Sequence, residues 1–417
     1  MRQNLQRYAK TFGPGILFAS TAIGVSHLVQ STRAGAEFGL ALVGFVIIAN
    51  LFKYPFFEYS SRYANVTGTS IIDGYKRLGR HALVLYLVIT VASMFFVTAA
   101  VGFVTAGFLE NLFQIEFLGV WTVIILFLVC TAILMVGRYR ALDSLIKVIG
   151  SVLIVSTILA FAIAMINGPV NSAPEFTQDI WTKAGILFVI ALMGWMPMPV
   201  DISSWHSLWT VERIKQTQFR PKLKETLFDF NSSYIFTSIL AVLFLVLGAF
   251  LFFGSGEELP DNNSVFANMI VSMYTITIGE WSYMIIAIAA FSVMFGTTLA
   301  VFDGYARSLG RITNLLSSKE MNPKSLPRLY LISVLGLSLG SIIIILQFKD
   351  SLTELVDFAT IVSFLIAPVI AVFNHRLVTG KHLSREHHPP KWLKGLGYAG
   401  IVFLIGFAMF FAISRFL

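Results

Sequence analysis

Apolar runs of roughly 20 residues recur along the chain between short polar stretches, and that pattern predicts eleven membrane-crossing helices. They lie near 13–37, 39–62, 82–110, 118–137, 142–166, 183–208, 227–253, 280–305, 327–347, 352–374 and 393–415. Two are interrupted midway. In the first, Gly24-Val25-Ser26-His27 places glycine, serine and histidine at mid-depth; in the sixth, Gly194-Trp195-Met196-Pro197-Met198-Pro199-Val200-Asp201 places two prolines and a carboxylate there. Freed backbone groups survive at that depth only where protein or a water-filled cavity satisfies them. The bland alternative for the first is a glycine at a helix crossing and a histidine satisfied by a neighbour. The second interruption argues against it, because paired Gly/Pro breaks in corresponding halves point to a transporter's substrate site. The breaks are five spans apart and enter the membrane from opposite sides. This is the geometry of a five-plus-five inverted repeat, although direct similarity between the halves is too weak to demonstrate. The repeats cover about 13–166 and about 183–374, an extra helix covers about 393–415, and all belong to one transmembrane domain, 1–417.

Composition agrees. Of 417 residues, 56% are apolar and only 12% charged, and mean hydropathy is +0.78. Soluble domains carry about twice that charged fraction, so the chain reads as an all-α polytopic membrane protein. A net charge of +8 would suggest nucleic acid in a soluble protein; here the cations sit in loops between apolar segments, and no nucleic-acid partner is expected. The single cysteine, Cys130, allows no intramolecular disulfide. The polar start MRQNLQRYAK runs straight into the first span without a cleavage site, so no cleavable signal peptide is expected.

The charges then orient the chain. Arg2, Arg7 and Lys10 precede span one, and clusters beginning at Lys76, Arg138, Arg213, Arg307 and Arg376 follow the even-numbered spans two to ten. The opposite loops carry Glu110, Glu116, Glu175, Asp179, Glu257, Glu258 and Asp261. The positive-inside bias therefore predicts a plasma-membrane protein with its N-terminus cytoplasmic and its C-terminus extracellular.

Gly13-Pro14-Gly15 followed by Ala34-Gly35-Ala36-Glu37-Phe38-Gly39 resembles the first helix of the NRAMP transporters, with the spacing between the blocks preserved. Gly137-Arg138-Tyr139-Arg140-Ala141-Leu142-Asp143 is similar to that family's GYxxLE stretch, and Gly194 with Met198-Pro199 to its sixth-helix G-x-x-x-M-P. The motifs are specific together rather than singly. The resemblance covers spans one to six well and the later spans mainly by topology. It implies a LeuT-like fold with broken helices 1 and 6, and secondary active transport.

The departures bear on the substrate. The family's metal site uses Asp-Pro-Gly-Asn in helix one, and those positions read Gly24, Val25, Ser26 and His27 here; in helix six Met198 is kept, but His-Asn becomes Val200-Asp201. A transition ion wants carboxylate, amide oxygen and soft sulfur converging, so a metal site of the usual family type is not expected. Where helix one resumes after Gly24, its bare N–H groups and dipole favour an anion, with Ser26 and His27 as donors. The expected substrate site is Gly24, Val25, Ser26, His27, Met198, Pro199 and Val200. A divergent NRAMP-like branch lacking the metal ligands has been linked to bicarbonate, which fits a small-anion cargo.

Accumulating an anion in an electrically negative cell requires a cation. The resemblance to LeuT-like sodium symporters suggests Thr297 and Thr298 in span eight as Na⁺ ligands, against the bland reading that both hydroxyls back-bond to their own helix. Asp201 is the second candidate, as Na⁺ ligand or proton carrier; capping the resumed helix is compatible with that. No cofactor is expected beyond Na⁺ as coupling ion.

The remaining polar residues read as structural. Lys53, Glu58 and Lys147 pair or snorkel, Asp303 and Asp357 sit near span ends, and His206 beside Trp205 and Trp209 is structural or part of an inner gate. His375, His382, His387 and His388 fall in the basic loop before span eleven. Asn262-Asn263-Ser264 matches the glycosylation pattern only formally. HExxH, P-loop and CxxC patterns are absent from the chain, which argues against an enzyme. Two transport readings stay open: a Na⁺-driven symporter of a small anion, most simply bicarbonate, and a divalent-cation transporter of altered selectivity, for Mn²⁺ or a hydrated Mg²⁺ held by Asp201. Oligomeric state is left undetermined.

Overall fold

The structure, a computed structural model, describes residues 11, 13–115, 119–136, 139–170, 179–255, 260–317, 322, 325–348 and 351–414, with backbone alone for 139–148 and 414. Arg2, Arg7, Lys10, Glu116, Gly137, Arg138, Glu175, Glu257 and Glu258 lie outside these residues, and so do the side chains of Tyr139–Asp143 and Lys147.

No strand occurs among the described residues. The first span is α1 (Pro14–Ala22), a π-helix (Val25–Ser31) and α2 (Thr32–Phe38). Then come α3 (Val43–Thr67), the short α4 (Ile71–Leu78), α5 (Arg80–Phe113), α6 (Val120–Val136) and α7 (Tyr139–Asn167). The sixth span is α8 (Lys183–Trp195) and α9 (Ser203–Thr217), joined through a 3₁₀ turn at Val200–Ile202. The rest are α10 (Leu223–Leu251), α11 (Asn263–Ile278), α12 (Tyr283–Leu316), α13 (Ser325–Gln347), α14 (Leu352–Thr379) and α15 (Lys391–Ser414).

Helix therefore covers each of the eleven predicted spans. Eight described segments are long and apolar enough to cross a bilayer. The other three spans are the broken α1–α2, the charged α3 with Lys53, Glu58 and Arg62, and the 17-residue α6.

Local chemistry sets the ends. Gly39 closes α2 at φ +59, a left-handed conformation that glycine adopts without a Cβ penalty. The turn that follows delays α3 to Val43, four residues beyond its predicted start. Ser70 and Asp73 form a capping box that starts α4. The Asn262 side chain accepts from the Ser264 and Val265 amides to start α11. Hydropathy alone leaves these two helices as loop, since neither is long enough to span; α11 instead packs Phe266, Ile270 and Tyr274 into the interior.

Between lipid-embedded helices, association rests on close packing rather than on apolar burial. Gly35 of α2 and Gly248 of α10 show this: a Cβ on Gly35 would overlap the Leu245 carbonyl, and one on Gly248 the Thr32 carbonyl. The outward faces carry Leu51, Val88, Leu128, Val155, Ile239, Leu339 and Val402, all exposed, as lipid contact requires. One correction concerns His375. It lies within α14, not in the following loop, and packs between Tyr59 (5.7 Å) and Tyr398 (4.3 Å).

Candidate functional site between the two breaks

At the first break α1 ends, Ile23 and Gly24 leave helical geometry (Gly24 φ −138°, ψ −133°), and the chain resumes as the π-helix. The His27 and Leu28 amides both reach back to the Gly24 carbonyl, at 3.1 and 2.9 Å. At the second break, the chain leaves helical geometry after Trp195 and bends through Met196, Pro197 and Met198 before Pro199 leads into the single 3₁₀ turn. Prolines suit this stretch because they lack the N–H a helix would need. The breaks face one another: the Ser26 hydroxyl lies 3.2 Å from the Pro197 carbonyl, and Ser31 Oγ lies 3.8 Å from Met196 Sδ.

A small cavity lies between them. Span one contributes Thr21, Val25 and Ser26; span three, Val97 and Val101; span six, Trp195, Pro197, Met198, Pro199 and Ile202; span eight, Thr297 and Val301. The space open to a water-sized sphere is about 30 Å³, one or two waters' worth. Its walls are mainly apolar; the polar side-chain groups of the lining residues are three hydroxyls, the Met198 thioether and the Trp195 indole N–H, which donates to Ser363 at 2.9 Å. The Thr21 hydroxyl donates to the Leu17 carbonyl at 2.7 Å. Thr297 donates to the Val293 carbonyl (3.0 Å) and lies 3.3 Å from the Ser20 carbonyl just before the first break. Gly24 sits directly against Thr297, so that an added Cβ would stand 3.0 Å from its side chain.

The predicted site residues therefore divide. Val25, Ser26, Met198, Pro199 and Thr297 line the cavity, and Gly24 touches Thr297. His27 faces away from it. Its Nε2 donates to the Thr237 carbonyl of α10 at 2.9 Å; a carbonyl only accepts, so a neutral ring leaves Nδ1 to accept from the Ser26 hydroxyl, also at 2.9 Å. Val200 is fully buried in the packing of α8, α14 and their neighbours. Thr298 points at span three, where its hydroxyl meets that of Thr105 at 2.8 Å. Asp201 is buried; Ser93 donates to its Oδ2 at 3.4 Å, while Oδ1 has no hydrogen-bond partner.

Sequence reasoning missed two features. Lys53 of α3 has no exposed surface, and its Nζ donates to the carbonyls of Met193 (2.6 Å), Gly194 (2.7 Å) and Met198 (3.4 Å). The first two are carbonyls left over where α8 stops, and the third belongs to the break that follows. Placing a lysine at mid-membrane costs about 2.5–3.5 kcal/mol on insertion scales; charge-assisted bonds worth about 1.5–3 kcal/mol each offset it. A signal existed: Glu58 is taken by Arg62 one turn on, at 2.5 Å, so Lys53 had to find a partner elsewhere. The second is Arg33 in α2, buried, which pairs with Asp357 of α14 at 2.9 Å and Glu37 at 3.4 Å, with Gln30 also on Asp357 at 2.9 Å. This network clamps the later half of span one to span ten. Toward the opposite ends of the spans, a larger cavity of about 450 Å³ lies among Asp73, Glu212, Lys215, Arg307 and Arg311.

An all-helical bundle with facing breaks in spans one and six, and a cavity held between them, is the architecture of a LeuT-like transporter. A profile for "Natural resistance-associated macrophage protein-like" proteins matches residues 15–414, and the chain belongs to that family, Nramp. It is 36% identical over 403 residues to an uncharacterized protein of Pasteurella multocida, covering 96% of this chain and 91% of that one. It is 24% identical over 257 residues to a divalent metal cation transporter, MntH, of Levilactobacillus brevis, covering 59% of this chain and 54% of the relative. The fold is shared with a manganese transporter of Eremococcus coleocola in complex with an aromatic bis-isothiourea substituted compound, with TM-score 0.74, 15% identity, and coverage of 97% of this chain and 86% of that chain. It is also shared with MhsT in complex with L-phenylalanine, with TM-score 0.61, 12% identity, and coverage of 94% and 98% respectively.

Proposed function

We propose that this protein carries a small anion, bicarbonate foremost, across the plasma membrane by Na⁺-coupled symport. The observation that carries the reading is the chemistry of the cavity wall: hydroxyls, a thioether, an indole and apolar side chains, with no carboxylate, imidazole or amide side chain. Among the described residues no group of three His, Cys, Asp or Glu side chains converges as a metal site would. A dehydrated divalent ion requires several oxygen or mixed donors, and this wall does not supply them. The resumed first span starts at the break, and although its His27 and Leu28 amides return to the Gly24 carbonyl, the positive end of its dipole there favours negative charge.

For the coupling ion, the Thr297 hydroxyl beside the Ser20 carbonyl and the Gly24 break is the arrangement of hard oxygens that suits Na⁺. The unpartnered Asp201 Oδ1 is a second place for a cation or a proton. By the charge bias of the loops, the Arg33–Asp357 clamp lies toward the outside and the 450 Å³ cavity toward the cytoplasm.

Divalent-cation transport is the second reading, favoured by the names of the MntH and manganese-transporter relatives and by the retained Met198. A fully hydrated Mg²⁺ does not fit 30 Å³, so this reading needs a rearranged cavity. Proteoliposomes separate the two. Labelled bicarbonate should enter under an inward Na⁺ gradient, and Mn²⁺ and Mg²⁺ should not. Metal uptake without bicarbonate uptake reverses the assignment.

A further inference from the structure

We infer that Lys53 determines charge selectivity at this site: its ammonium is a tethered cation that fills the carbonyl end of broken span six and makes the adjoining cavity hospitable to anions. The inference rests on the anion reading above. Three observations support it. Lys53 is fully buried and spends its ammonium on the Met193 and Gly194 carbonyls, at the negative end of α8, and on the Met198 carbonyl in the break beyond it. Among the described residues no carboxylate comes within 4.0 Å of it as an ion-pair partner. Asp201 is its charged neighbour, but that carboxylate is aimed at Ser93 of span three. Met198, whose carbonyl Lys53 holds, is itself a cavity wall, and the wall carries no charge of its own.

Backbone carbonyls at an unwound helix end commonly coordinate a transported or coupling cation in broken-helix transporters. Here two of them are taken by Nζ within 2.7 Å. An entering cation would have to displace the lysine and endure its repulsion. An entering anion is drawn by the same charge, through a medium that screens weakly.

The test uses the full-length protein in liposomes, with labelled bicarbonate and formate as probes. Lys53→Met keeps length and removes the charge. It should raise the KM for anion uptake by about 10- to 100-fold, the size expected for a unit charge several Å away at an effective dielectric of about 20. The turnover rate should change far less, and Lys53→Arg should stay within a few-fold of wild type. Because Lys53→Met can fail to fold, Lys53→Cys in a Cys130→Ala background gives an independent route. Modification with a cationic aminoethyl thiosulfonate should restore the low KM, and a neutral methyl reagent should not.

A folded Lys53→Met with wild-type KM overturns the Lys53 role while leaving the anion reading intact. Equal rescue by charged and neutral reagents does the same. Absence of anion uptake by wild type overturns both.

Discussion

Gly24 is where the residue scale is most demanding. The constraint there is crowding: an added Cβ would stand 3.0 Å from the Thr297 side chain. Gly24→Ala should therefore slow uptake in liposomes and lower thermal stability by about 1–3 kcal/mol. Adding Thr297→Ser, which deletes the crowding methyl and keeps the hydroxyl, should restore part of the rate. Full activity of Gly24→Ala would mean the break has more room than the geometry allows. At Asp201, replacement by Asn keeps shape and the Ser93 contact but removes the charge on an oxygen with no partner. We expect uptake to lose its dependence on the Na⁺ gradient or on pH while anion binding persists, read by comparing uptake with and without each gradient. A variant that retains both dependences would exclude Asp201 from coupling.

The elements are held by a few long-range contacts. Arg33–Asp357 ties α2 to α14, and breaking it leaves a buried guanidinium without its main partner. Asp357→Asn should cost about 1–3 kcal/mol, below the range for a fully buried pair because Asp357 is 29% exposed. The measurement is the shift in thermal unfolding in detergent. The same variant should also raise the reactivity of a cysteine placed at Gln30, if the clamp closes the path on that side. At the α2–α10 crossing, Gly35→Leu forces a side chain into the Leu245 carbonyl and should destabilise by about 1–3 kcal/mol or more. A neutral result would show that the helices can separate there. These contacts are hard to read from the chain, because each joins residues more than 200 positions apart. The helices themselves are plain: hydropathy over 20 residues is a local property. Their starts are less so, as α3 shows, where the Gly39 turn shifts the boundary by four residues.

At the scale of the whole molecule, eleven spans and the charge bias predict termini on opposite faces. Fusing a cytoplasmic reporter and a periplasmic reporter in turn to each end of the chain should give activity of the first only at the N-terminus and of the second only at the C-terminus. Both ends on one side would mean that a span is miscounted, with the 17-residue α6 the first suspect. The family match runs from 15 to 414 and so includes the eleventh helix.

What the sequence alone determined is the set of spans, the two breaks and the loss of the usual metal ligands, because apolar length, glycine, proline and residue identity are properties of short segments. The direction of each polar side chain was settled only by the tertiary structure. His27 illustrates the reason: Ser26 lines the cavity, but the next residue falls on another face of the span, and its imidazole lands on the Thr237 carbonyl. Thr297 and Thr298, adjacent in sequence, fall on different faces of α12, one at the break and one at Thr105. Lys53 reaches carbonyls 140 to 145 positions away, since a charge buried in lipid takes whatever partner packing brings, and packing is not written in any single segment.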